Sequence, residues 1–135
     1  MDDTFTITNG TRTNTPRVPF SNIKEALLGK RYTLSLVFVG ETKMRSLNNQ
    51  YRKKNEPTDI LSFPYEKTSG EIILNQNMIQ KKSKLFDMTA KHYTAYVFIH
   101  GLLHLKGHAH GRTMEKLEDT WCRRFNIPIP QRYTV

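Results

Sequence analysis

Apolar and polar residues alternate along DTFTITNGT, residues 3–11, and the Asn9-Gly10 pair closes the run, which predicts a strand ending in a turn. TNTPRVPF is a connector punctuated by Pro16 and Pro19. Ser21 then stands where a helix N-cap would, before NIKEALLG, with Gly29 as the stop. RYTLSLVFVG, residues 31–40, reads as a second strand, apolar on both faces toward its end and therefore central. In ETKMRSLNNQYRKKN the residues Met44, Leu47 and Tyr51 form one helical stripe. TDILSFPYE, residues 58–66, is a third strand that Pro64 confines to an edge or ends. A TSG turn leads to a fourth strand, EIILNQNMI, residues 71–79, and KKSKLFD follows as a charged connector. TAKHYTAYVFIHGLLHLKG is the longest helical stretch, closed by Gly107. RTMEKLEDTWCRRFN is an amphipathic helix with Met114, Leu117, Trp121 and Phe125 on one side, and IPIPQRYTV is an extended tail. The order is strand, helix, strand, helix, two strands, two helices: a mixed domain with helices against a small sheet.

Length and composition narrow the class. A chain of 135 residues fits one domain, here residues 1–135, and is long enough to bury a proper core. Cys122 is the only cysteine, so no intramolecular disulfide forms, which suits a reducing cytosol. The start, MDDTFTITNG, lacks the basic and apolar runs of a secretory signal. The longest apolar stretch, AYVFIHGLLHL, is broken by two histidines and is too short for a bilayer, so no membrane association is expected. The net charge of +9 attracts polyanions, nucleic acid first among them, although a basic surface also serves plain solubility.

Four of the five histidines crowd into HGLLHLKGHAH, residues 100–110. His100 and His104 are four apart and share a helix face. Gly107 lets the chain turn back, and His110 returns to the same point. Three neutral imidazoles are a zinc-binding set with an open coordination position. One such histidine alone would read as a core residue; the pattern as a whole reads as a metal site, with His108 beside it or exposed. The spacing matches H-E-x-x-H-x-x-G-x-x-H of metallopeptidases, but Gly101 stands where their glutamate would take a proton from water. Peptide cleavage is therefore disfavoured.

A second dense stretch is LNNQYRKKNEPTDILSFPY, residues 47–65. Arg52, Lys53 and Lys54 complement the dipole of a helix C-terminus and also form a basic lip suited to phosphates. Thr58, Asp59 and Ser62 lie beside a strand that lines a cleft in this reading, though Asp59 equally suits a turn cap and Ser62 a solvent-facing position.

LNNQYRKKNEPTDILSFP, GEII and HGLLHLKGHAH together resemble the YbeY family of bacterial rRNA-maturation endoribonucleases. The family pattern runs Leu-Asn-x-x-Tyr-Arg, Thr-Asp-(Val/Ile)-Leu-Ser-Phe-Pro, Gly-Asp-Ile, and His-Gly-x-Leu-His-Leu-x-Gly-(Tyr/His)-Asp-His. The order matches over nearly the whole chain, about residues 5–126. The resemblance implies an α+β fold with a small four-stranded sheet and a metal site at the end of a long central helix. It implies one Zn2+ per chain on His100, His104 and His110, with Arg52 matching the family's essential arginine. It implies a cytoplasmic, single-strand-directed endoribonuclease acting on rRNA of the small ribosomal subunit, in 16S 3′-end maturation and ribosome quality control. The alternative is a non-catalytic RNA- or ribosome-binding module with a structural zinc. Two positions depart from the pattern: Ala109 replaces the aspartate before the third histidine, and Gly70-Glu71-Ile72 replaces Gly-Asp-Ile. Metal ligands need partners that orient them, so the lost carboxylate bears on metal affinity or rate.

Overall fold

A computed structural model describes residues 4–130. Its elements run β1 (Phe5–Asn9), α1 (Phe20–Leu28), β2 (Thr33–Val39), α2 (Glu41–Arg52), β3 (Ile60–Glu66), β4 (Ser69–Asn75), α3 (Gln76–Leu85), α4 (Ala90–Leu105) and α5 (Arg112–Arg124). The strands form one mixed sheet in the order β1-β2-β4-β3. β1 and β4 pair parallel to β2, and β3 runs antiparallel to β4. The α+β architecture with a four-stranded sheet is the one expected.

The alternation of β2 sets both faces. Leu34, Leu36 and Phe38 point to one side, in register with Gly70, Ile72 and Leu74 of β4, and all three are buried. α1 and α4 close over this face, with Phe20 edge-on to Phe98 at 5.0 Å between ring centroids. The other face carries Val37, Val39, Leu61 and Ile73, and Met44 of α2 seals it as a smaller cluster. α4 is apolar almost all round, as befits a helix packed against the sheet and its neighbours α1, α3 and α5. Pro64 sits in the edge strand β3, where a missing N–H disturbs no inner ladder, next to an irregularity in the pairing.

Four local expectations are corrected. α1 begins at Phe20, with Pro19 at the N-cap and no side-chain cap, so Ser21 lies in the first turn instead of ahead of it. The fourth strand ends at Asn75, whose side-chain oxygen accepts from the backbone N–H groups of Asn77 and Met78 at 3.1 and 3.3 Å. That cap starts α3, so residues 76–79 are not strand and most of the charged connector KKSKLFD is helix. The third strand begins at Ile60, leaving Thr58 and Asp59 in the loop before it. Tyr51, expected in the apolar stripe of α2, is 57% exposed and touches Phe63 with ring centroids 5.1 Å apart. Of the tail, residues 131–135 lie outside the described residues.

Candidate metal centre

α4 ends in a turn that decides the geometry of the site. Gly107 takes φ 100°. Its N–H donates to the His104 carbonyl at 2.9 Å, and the His108 N–H donates to the Leu103 carbonyl at 3.1 Å. This pair of bonds is a Schellman motif, and it reverses the chain directly after the helix. The reversal does two things. It brings His110 back against the helix, with ring centroids 5.0 Å from His100 and 4.7 Å from His104. It also points the His108 carbonyl at His104, whose Nδ1–H donates to it at 3.0 Å.

The tautomers follow from these partners. A carbonyl oxygen only accepts, so Nδ1 of His104 carries the proton and Nε2 holds a bare lone pair. His100 is arranged alike: its Nδ1 is hydrogen-bonded to Oε2 of Glu118, a buried residue of α5. The two Nε2 atoms then face each other at 3.1 Å. Two lone pairs at that distance repel unless a proton or a cation lies between them. One nitrogen from each of the three imidazoles lies within 4.8 Å of the others. The donor set, three converging nitrogens with two already in the ligand tautomer, fits a divalent ion. Burial pushes the pKa of His104 below the ordinary imidazole value, and the neighbouring His100 adds to this, which keeps the ring neutral as a ligand must be.

The histidines form one wall of a cavity of about 530 Å³. The opposite wall is β3 and the loop before it, from Thr58 to Ser62 together with Pro64, and Arg52 stands at the rim from the end of α2. The structure therefore brings Arg52, Thr58, Asp59 and Ser62 together with His100, His104 and His110. Lys53 and Lys54 do not line the cavity; they are exposed on the loop that leaves α2, and Lys53 adopts a left-handed φ of 56°. The Asp59 carboxylate is engaged elsewhere: Lys82 and the Tyr93 hydroxyl donate to its Oδ2 at 3.2 and 3.1 Å. It ties β3 to α3 and α4. Burial, with the nearby Asp59, in turn pushes the Tyr93 hydroxyl far above its usual pKa.

Sequence reasoning missed two residues. Asn48 is buried in α2 and donates to the Glu56 carbonyl at 2.8 Å, pinning the loop that carries Thr58. Glu118 is the other; its position four residues after Met114 and four before Cys122, both buried, was the available sign that it points inward. Of the two departures from the family pattern, Ala109 is exposed. Glu71 turns away from the cavity, accepting from the Tyr65 hydroxyl at 2.5 Å and the Ser35 hydroxyl at 3.2 Å.

Fold and site together define a mixed α/β protein with a three-histidine group that can hold a metal ion in an open cavity. The chain belongs to the Endoribonuclease YbeY family, whose profile matches residues 9–126. It is 34% identical over 121 residues to an Endoribonuclease YbeY of Buchnera aphidicola, covering 78% of each protein. It is 40% identical over 98 residues to that of Thermodesulfovibrio yellowstonii, covering 63% of this chain. The chain spans 62% of the length of that second relative. The solution structure of TM1509 from Thermotoga maritima shares the fold, with a TM-score of 0.66 over 90% of this chain and 88% of the other, at 23% identity. Among the described residues no helix is long and apolar enough to cross a membrane.

Proposed function

We propose that residues 1–135 act as one zinc-dependent, single-strand-directed endoribonuclease domain, with one ion per chain on His100, His104 and His110. The substrate in this reading is rRNA of the small ribosomal subunit, the process is 16S 3′-end maturation and ribosome quality control, and the compartment is the cytoplasm. The observation that carries the reading is the convergence of three imidazole nitrogens on the wall of a cavity whose rim holds Arg52. A bound ion supplies Lewis acidity toward a phosphoryl oxygen and lowers the pKa of water to about 7. The chain's own residues do the rest. His100, His104 and His110 leave room for further ligands, because among the described residues the group has three members. Arg52 presents a planar fork of donors to the scissile phosphate and stabilises the charge that builds on it. Lys53 and Lys54 hold flanking phosphates outside the cavity. Thr58 and Ser62 offer hydroxyls to the strand lying in it, while Asp59 keeps the loop in place.

A non-catalytic RNA-binding module with a structural zinc would close its ion with four protein ligands. His108 is the nearest candidate for a fourth, yet its carbonyl serves His104 and it is not in the group. Incubation with labelled single-stranded RNA, with and without a chelator, separates the two. Cleavage that stops with the chelator and returns with zinc supports the enzyme; binding without cleavage at full zinc occupancy sinks it.

A further inference from the structure

We propose that Glu118 is a positioning residue for the metal centre, a buried carboxylate on α5 that orients His100. This rests on the three-histidine reading above and adds a residue to it. Glu118 lies on the inward face of α5 and is 2% exposed. A carboxylate this buried needs strong partners. It has one at each oxygen: Oε2 bonds to Nδ1 of His100, and Oε1 accepts from the Tyr96 hydroxyl at 3.0 Å. Tyr96 and His100 stand one turn apart on α4. The three groups therefore form a chain, Tyr96 to Glu118 to His100, that clamps α5 onto α4 where the first histidine projects.

The consequence for the ion is specific. The bond fixes the His100 proton on Nδ1, leaves Nε2 for the metal, and makes the imidazole a better donor. His104 gets the same service from a backbone carbonyl, which a side-chain substitution cannot remove. Among the described residues His110 shows no side-chain hydrogen bond. Glu118 is thus the orienting partner that mutation can delete, and Ala109, exposed and without a polar side chain, does not duplicate it.

The test uses the full chain stripped of metal and titrated with Zn2+ against a chromophoric competitor. Wild type takes up one ion. Glu118→Ala weakens zinc binding about 10–100-fold, the usual effect of removing such a partner. Glu118→Gln keeps an acceptor oxygen for His100 and recovers most of the affinity, which a role resting on charge alone would not predict. Glu118→Met, which keeps the volume without an acceptor oxygen, stays as weak as Glu118→Ala, which a role resting on packing alone would not predict. Tyr96→Phe produces a smaller loss, severalfold. Imidazole nitrogen NMR of the zinc-loaded wild type reads the same point without any variant: Nε2 of His100 is metallated and Nδ1 keeps its proton. Wild-type affinity in Glu118→Ala, or metallation of His100 through Nδ1, overturns the proposal while leaving the three-histidine reading intact. A wild-type protein that takes up no ion overturns both.

Discussion

Gly101 of α4 lies so close to Ile60 of β3 that a β-carbon on the glycine would stand 2.6 Å from the isoleucine Cδ1, with Ser62 Oγ at 3.0 Å and Ile72 Cδ1 at 3.1 Å on other sides. The position next to the first histidine is thus held by packing: the helix that carries the ligands is pressed onto the strand that forms the facing wall. No room exists there for the glutamate of a metallopeptidase. Gly101→Ala gains helix propensity of about 1 kcal/mol but overpacks the contact at about 1–3 kcal/mol, so a net loss of roughly 1 kcal/mol is expected in urea unfolding. Stabilisation by the alanine would show that β3 and α4 are not in this contact.

Arg52 is exposed at the cavity rim and makes no hydrogen bond or ion pair among the described residues. Its removal should therefore leave stability within about 0.5 kcal/mol of wild type. Arg52→Ala is expected to slow RNA cleavage about 10²–10³-fold, as for loss of a donor to developing charge, with zinc content unchanged. Arg52→Lys keeps the charge without the fork and should restore only part of the rate. Simultaneous loss of zinc in Arg52→Ala would assign the arginine a structural role.

Asn48, itself buried, holds the loop between α2 and β3 by a part-buried hydrogen bond to the carbonyl of the exposed Glu56. Asn48→Ala removes that donor from the Glu56 carbonyl, at a cost of about 0.5–1.5 kcal/mol. The same change frees the segment that carries Thr58, so proteolytic nicking should concentrate in residues 53–58. Unchanged stability together with unchanged protease sensitivity would remove Asn48 from this role.

Most elements were legible because their periodicity was clean: the alternation of Leu34, Leu36 and Phe38, and the apolar run of α4 around two histidines. α3 was not, because the apolar run IIL, residues 72–74, is followed closely by Met78 and Ile79, and nothing in that pattern marks the point where the Asn75 side chain caps a helix. There a local side-chain bond overrides the pattern. The histidine site could be read because helix spacing and a turning glycine are local in sequence. Glu118 lies 18 residues from His100, and only the packing of α5 on α4 brings them together. Asp59 lines the cavity, but its partners Lys82 and Tyr93 arrive from α3 and α4, and no local pattern in the sequence announces them.

Lys53 and Lys54 stand outside the cavity, on the loop that follows Arg52, where only phosphates of a longer strand would reach them. Each phosphate neutralised on single-stranded RNA contributes about 0.7 to the slope of log affinity against log salt concentration. Lys53→Ala and Lys54→Ala should each reduce the slope by ~0.7 and weaken binding without regard to base sequence. An RNA long enough to pass beyond the cavity is required for the measurement. An unchanged slope in the double variant would make both lysines ordinary surface charge.

The metal-free protein carries its own pH dependence through His104. Burial, then His100 and His110, lower its pKa, and these outweigh the opposing pull of the His108 carbonyl and Glu118. In the unfolded chain the same imidazole titrates near ~6.5. Between the two values the unfolded chain holds more protons than the folded one, so acid favours unfolding. The contribution is fully present above about 6.5 and is lost as the pH falls toward and through the folded value. Thermal melts in a chelator should therefore show stability level at neutral pH and declining below about 6.5, with a shallower decline in His104→Gln. A metal-free protein in which His104→Gln steepens the decline would mean that the folded site favours the imidazolium, a proton held between the facing Nε2 atoms of His104 and His100 outweighing the effect of burial.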